Sequence, residues 1–234
     1  MNLHWHRRDL RLTDNSGLEQ GVETAGETAG IFVFDPAVLD HAGPPRMAYL
    51  LDALDSLRDS YRERGSDLLV ARGEPVDIIP AIAEELGVSS VSFCADYTGL
   101  ARSRDAAVRR ALADAEIERQ VVHDAVHHEP GTITTNSGDP YKVFTYFSKK
   151  WHDRKKLSPV DAPAPDDLVA IQSGEQEETL PEIPTLDEIG FTEPTAEIPP
   201  AGTEAARERL ESFCAEDIYR YDDRRDHPAD RCTS

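Results

Sequence analysis

A dense run of ionisable side chains, His4-Trp5-His6-Arg7-Arg8-Asp9-Leu10-Arg11-Leu12-Thr13-Asp14-Asn15, follows the first apolar residues of the chain. Guanidinium and carboxylate groups so closely spaced serve one of two ends. They form an Arg–Asp network that closes a loop, with Asp14 or Asn15 capping the next helix, or they line a site for an anionic or aromatic ligand. Two other groups have the right side chains for chemistry. His123, His127 and His128 have metal-like spacing, but no cysteine lies near them and no helix fixes the pair, so they read as solvated or capping histidines and no residue is assigned to a metal. Lys149, Lys150, Arg154, Lys155 and Lys156 form the one basic cluster; Phe147 and Trp151 at helical spacing make it a surface helix with one face inward, neutralised by acidic residues further on. No G-x-G-x-x-G follows a strand and no G-x-x-x-x-G-K-[ST] occurs, which argues against an ordinary dinucleotide dehydrogenase or P-loop NTPase. No Ser-His-Asp or Cys-His signature is present.

The elements that must position these residues alternate. Asn2–His6 reads as a strand, followed by a helix capped by Thr13 or Asp14. The continuous apolar run 30–34 has the mark of a strand buried on both faces. Pro44-Pro45 opens a long helix to Arg64, with Met47, Leu50, Leu51, Leu54, Leu57 and Tyr61 at helical spacing. Strands follow at 68–71, 88–94 and 117–122, with helices at 76–86 and 101–115. The pattern predicts an α/β fold, a doubly wound, mostly parallel five-stranded sheet of Rossmann-like form, whose ligands bind beyond the carboxyl ends of the strands.

Charge divides the 234 residues unevenly. Residues 1–157 carry 25 acids and 19 bases, whereas 158–234 carry 20 acids and 6 bases. Segment 158–203 has 11 acids, no base and eight of the sixteen prolines, so it reads as an extended interdomain linker. Leu168-Val169, Leu180, Leu186-Ile189 and Phe191 are its candidate anchors. A short helix from Thr203 to Glu216 follows, with Ala206, Leu210, Phe213 and Cys214 on one face. The net charge of −20 argues against sequence-independent affinity for nucleic acid. All five lysines lie between Lys142 and Lys156, and an acidic, lysine-poor surface suggests adaptation to high salt, the alternative being GC-rich coding bias with chance acidity. Three cysteines exclude a disulfide framework, and no segment reads as a signal peptide or membrane span, so the expected address is the cytoplasm.

Three ordered motifs resemble the DNA photolyase and cryptochrome family. The first is Trp5, Arg7, Arg8, Asp9, Leu10, Arg11, Asp14 and Asn15. The second is Tyr141-Lys142-Val143-Phe144-Thr145-Tyr146-Phe147 with Trp151, where Tyr146 stands in place of the usual proline. The third runs from Tyr221 through Arg225 and Pro228 to Thr233-Ser234, with Cys232 in place of the usual glycine. The resemblance implies an N-terminal α/β antenna domain at 1–157, the linker at 158–203, and at 204–234 the start of a helical domain that holds FAD and contacts UV-damaged DNA. In photolyases of this family the reduced, light-excited flavin splits cyclobutane pyrimidine dimers; the alternatives are a cryptochrome-type light sensor and a stand-alone binding module. Tyr221, Thr233 and Ser234 match FAD-site positions, but three contacts do not enclose a flavin, so the chain alone is expected to bind no FAD and repair no DNA.

The resemblance also implies a light-harvesting chromophore. Phe34-Asp35-Pro36, the helix start Arg46-Met47-Ala48-Tyr49-Leu50, and Asp96 are similar to the deazaflavin-binding members. Leu100 and Ala101 stand where the folate-binding branch has an Asn-Glu pair, and Thr98 replaces an acidic residue that deazaflavin binders carry. Phe34, Met47 and Leu50 would flank the ring, Arg46 would meet an anionic oxygen, and Asp35 and Asp96 would accept N–H or hydroxyl bonds. An FMN- or FAD-like chromophore and an empty site are the alternatives. In the last case Asp35 and Arg46 form an ion pair, and Met47 and Leu50 are core.

Overall fold

The computed structural model describes residues 1–170 and 181–226. Five strands, β1 (Asn2–His6), β2 (Thr28–Phe34), β3 (Leu68–Arg72), β4 (Ser90–Cys94) and β5 (Glu118–Val122), form one sheet in the order β3-β2-β1-β4-β5. Every pairing is parallel. Helices α1 (Ser16–Ala25), α2 (Pro36–Leu39), α3 (Pro44–Arg62), α4 (Pro75–Glu85) and α5 (Gly99–Asp114) connect the strands, and α6 (Phe144–Asp153), α7 (Thr203–Ala215) and α8 (Tyr221–Arg224) follow. Chain order reverses beside β1, so the switch point lies at the carboxyl ends of β1 and β4.

Alternation along β1 explains the two layers. Leu3 and Trp5 point into a cluster with Val91, Phe93, Ile79, Val108 and Leu112, on the side of α4 and α5. Asn2, His4 and His6 point the other way and are all buried. Leu54, Leu57 and Tyr61 of α3 join Phe32, Phe34 and Leu68 in a second cluster. Asn15, not Thr13 or Asp14, caps α1: its Oδ1 accepts the Leu18 N–H at 3.0 Å, while Asp14 takes a left-handed φ of 55° in the turn before it.

The proline-rich segment lies along this second cluster. Leu168 and Ile189 are buried in it, and Ile183, Leu186 and Phe191 pack on its edge; Leu180 lies outside the described residues. Thr28 bridges Leu168, and the Val169 carbonyl accepts from Ser66 Oγ at 2.7 Å. Arg58, 3% exposed, joins the segment to the core through Asp67 at 2.7 Å and Glu182 at 3.1 Å. Leu168→Ala is expected to lower stability by about 2 kcal/mol, through lost burial plus an unfilled cavity. Urea unfolding measures the loss, and faster proteolysis within 158–203 should accompany it.

The basic cluster differs from its expected arrangement. Trp151 of α6 is edged by His127 and His128 at 5.6 and 5.8 Å, and Lys156 Nζ sits 4.2 Å from its ring centre. Among the described residues no acid of the linker pairs with this cluster; Glu182 pairs with Arg58 instead, because the linker follows the α3 side of the sheet. Phe144 and Tyr146 remain exposed. On α7, Leu210 is exposed too, and Phe213 edges Tyr221 at 6.4 Å.

Candidate functional site

Five Arg–carboxylate contacts, made by four arginines, gather at the switch point. Arg7 Nη1 meets Asp105 at 2.5 Å, and its Nη2 donates to the Cys94 carbonyl. Arg104 reaches Asp35 at 3.4 Å and Asp105 at 3.4 Å. Arg11 meets Asp124 at 2.5 Å, and exposed Arg8 approaches Asp96 to 3.7 Å. Both Arg7 and Arg104 lie over the Trp5 ring, at 4.7 and 5.1 Å from its centre. The network thus closes the loop after β1, as the first of the two readings of this motif requires. It also leaves a cavity of ≈ 140 Å³ lined by Arg7, Arg8, Asp9, Arg11, Cys94, Asp96 and Asp124.

Beneath the cavity the polar face of β1 forms a buried chain of hydrogen bonds. Ser90 Oγ donates to Asn2, Asn2 Nδ2 donates to Ser92 Oγ, and Ser92 Oγ meets His4 Nδ1 at 3.0 Å. His4 Nε2 meets Asp9 Oδ2 at 3.1 Å, and Asp9 also accepts from the Arg7 N–H and from Asn15 Nδ2. His6 contacts the Asp9 carbonyl at 3.0 Å and Tyr61 Oη at 2.8 Å. Burial, followed by the neighbouring His4 charge, pushes His6 down to about 3. Burial works against the Asp9 carboxylate too, but the His4 hydrogen bond, the charges of both histidines and the Arg7 N–H outweigh it and hold Asp9 well below the usual carboxylate range. Burial raises the Cys94 thiol and the Tyr61 phenol, so neither is a ready nucleophile.

The other expected site residues fall around the same edge of the sheet. Phe34 ends β2 and is buried with Met47 of α3, while Leu50 packs on the rim of that cluster. Asp35 caps α2 through Ala37 N–H at 3.0 Å, and its second oxygen faces Arg104, not Arg46. Arg46 is exposed and forms no ion pair among the described residues. Asp96 accepts the Thr98 N–H at 3.0 Å; desolvation raises its carboxyl, but that bond and the Arg8 charge outweigh desolvation and leave it below the ordinary range. Tyr221 is 46% exposed on an open concavity with Phe213, Ile218 and Tyr219, and Thr233 and Ser234 lie outside the described residues. His123 pairs with Tyr97 and Glu129, away from His127 and His128 at Trp151.

The model of the family described as DNA photolyase matches residues 2–166. A deoxyribodipyrimidine photo-lyase of Halobacterium salinarum is 50% identical over 100% of this chain and 50% of its own length. The chain belongs to the DNA photolyase family. A class III photolyase from Agrobacterium tumefaciens shares the fold, with a TM-score of 0.80 over 99% of this chain and 48% of that one at 24% identity. A Sulfolobus tokodaii photolyase, crystallised with two FAD molecules, is 26% identical with a TM-score of 0.61 over 70% of this chain and 37% of its own. The chain spans about half the length of the Halobacterium and Agrobacterium photolyases. A relative from Halobacterium accords with the acidic, lysine-poor composition. No described helix is long and apolar enough to cross a membrane.

Sequence reasoning overlooked Arg104 and Asp105. Both sit in α5, whose first two turns look like an ordinary solvated face. Their role depends on β4 lying beside β1, which only the sheet order reveals.

Proposed function

We propose that this chain is the chromophore-holding α/β part of a deoxyribodipyrimidine photolyase, which acts on UV-damaged DNA together with an FAD-binding helical domain, in cis or as a separate chain. The supporting observation is 50% identity to a photolyase along the whole chain, together with a polar rim at the carboxyl ends of β2 and β4. That identity favours repair over light signalling.

The rim residues fit a flat ring with an anionic edge. Leu50 offers apolar surface, with Phe34 and Met47 as the packed floor beneath it. Arg46 carries an exposed guanidinium with no competing carboxylate among the described residues, and Asp96 stays ionised beside Arg8. Asp35 holds the loop through its cap and Arg104 while keeping lone pairs for a hydroxyl or N–H. A deazaflavin is the chromophore we assign, ahead of FMN or FAD, and it supplies excitation energy to the reaction when bound. Tyr221, Thr233 and Ser234 belong to the FAD site of the assembled enzyme.

Reconstitution with a deazaflavin should shift its absorption and fluorescence, and Arg46→Ala should weaken binding about tenfold, the equivalent of one charge-assisted hydrogen bond. Equal affinity of the variant, or tighter binding of FMN, would refute the ligand assignment. Repair of dimer-containing DNA is expected only when the helical domain is supplied, and FAD titrated into this chain alone should show no micromolar binding.

A further inference from the structure

We infer that His4, His6 and Asp9 form a buried site for one divalent cation of the zinc class. Two imidazoles and a carboxylate are the donor set such cations take. One ligand atom from each lies within 4.8 Å of the others, and no other His, Cys, Asp or Glu group of three converges this way among the described residues. His4 Nε2 and His6 Nδ1 stand 3.1 and 3.8 Å from Asp9 Oδ2. The two rings are nearly perpendicular at 86°, so their nitrogens approach the carboxylate from different directions. The strand supplies this geometry, since residues 4 and 6 share one face of β1 and the turn brings Asp9 back over them.

The surrounding shell is already assembled. Metal-bound histidines hold their second ring nitrogen in a hydrogen bond that fixes tautomer and orientation. His4 Nδ1 has Ser92 Oγ, His6 Nε2 has Tyr61 Oη, and Asp9 is held by the Arg7 N–H and Asn15 Nδ2. In the metal-free protein the three groups satisfy one another: His4 Nε2–H donates to Asp9 and His6 Nδ1–H to the Asp9 carbonyl. With a cation bound, each ring would carry its proton on the far nitrogen, His4 toward Ser92 and His6 toward Tyr61. Asp9 also lines the switch-point cavity, so the site lies next to an opening in the surface.

The test uses the chelator-stripped full chain and Co²⁺, added by overnight equilibration and, separately, during refolding. One Co²⁺ per chain with visible d–d absorption, displaced by Zn²⁺, is expected. Asp9→Asn and His6→Phe should abolish it, and Tyr61→Phe, which leaves all three ligands in place, should weaken it about 10- to 100-fold. The triple variant His123→Ala/His127→Ala/His128→Ala should bind as the parent does. Absence of stoichiometric binding by both loading routes overturns the site, as does binding that survives Tyr61→Phe unchanged and vanishes in the triple variant. Tyr61→Phe keeps the experiment decisive if a ligand variant does not fold.

Discussion

Replacing Asp105 with alanine is expected to cost about 3–5 kcal/mol of folding stability, the usual penalty for stripping a buried charge of its partner. The side chains of Arg7 and Asp105 are 8% and 2% exposed, so water does not take the place of the lost carboxylate. Arg7 would keep the Cys94 carbonyl and the faces of Trp5 and Phe93, at 4.7 and 5.0 Å. Its Nε is buried and has no partner among the described residues even in the parent protein, so no spare acceptor stands ready. Arg104 keeps Asp35 when Asp105 is removed, which confines the damage to Arg7. The double variant Arg7→Met/Asp105→Ala should recover much of the loss, since it leaves no orphaned charge. The penalty should persist in molar salt, because a buried pair is little screened. Urea unfolding of the three proteins measures all of this; a single-variant loss under about 1 kcal/mol would show that the pair is not buried as described. The effect reaches the candidate site directly, because Arg7 and Arg8 share the turn whose Arg7 N–H is held by Asp9.

How far these features could be read from sequence depended on how local their causes are. β2 and the Leu3/Trp5 side of β1 were legible because strands covered on both faces carry continuous or regularly placed apolar residues. Helix α3 was legible because its apolar residues recur along one face and Pro44-Pro45 marks its start. The loop after β1 was legible as an Arg–Asp network in kind, but its partners were not. Asp105, Asp124 and Asp96 lie roughly a hundred residues away, and only the sheet order brings them near. The linker anchors Leu168 and Ile189 stood out as isolated apolar residues among acids and prolines. Which surface they covered did not, and the expected neutralisation of the α6 lysines gave way to Arg58. The polar face of β1 and β4 was the least legible feature. Asn2, His4, Ser90 and Ser92 alternate with Leu3, Val91 and Phe93, a pattern that ordinarily marks a solvated sheet face, yet α1 covers it completely.

What lets α1 cover that face is a pair of glycines, and the second large effect is expected there. Gly17 and Gly21 are one helical turn apart, and both meet the sheet. A Cβ on Gly21 would overlap the Asn2 side-chain amide and come within 2.9 Å of Ser92 Oγ; one on Gly17 would stand 2.8 Å from Cys94 Sγ. Helix propensity alone makes Gly21→Ala stabilising by about 1 kcal/mol. Steric overlap makes the opposite prediction, because neither Asn2 nor Ser92 can move without breaking its own buried hydrogen bonds. Gly21→Ala is therefore expected to destabilise by about 2 kcal/mol, and Gly21→Val by about 4 kcal/mol or more, a change in sign and not only in size. Thermal melts followed by circular dichroism decide between the two, and a higher midpoint for Gly21→Ala would show that α1 does not rest on the strands. Asn2→Ala should relieve part of the Gly21→Ala penalty, a coupling of about 1 kcal/mol that a purely local helix effect cannot produce. The same displacement should be felt at the switch point, because the cap of α1 is Asn15, whose amide holds Asp9 and whose carbonyl faces Cys94. A helix lifted from the sheet at Gly21 would tilt that cap, so affinity for the proposed chromophore should fall along with stability.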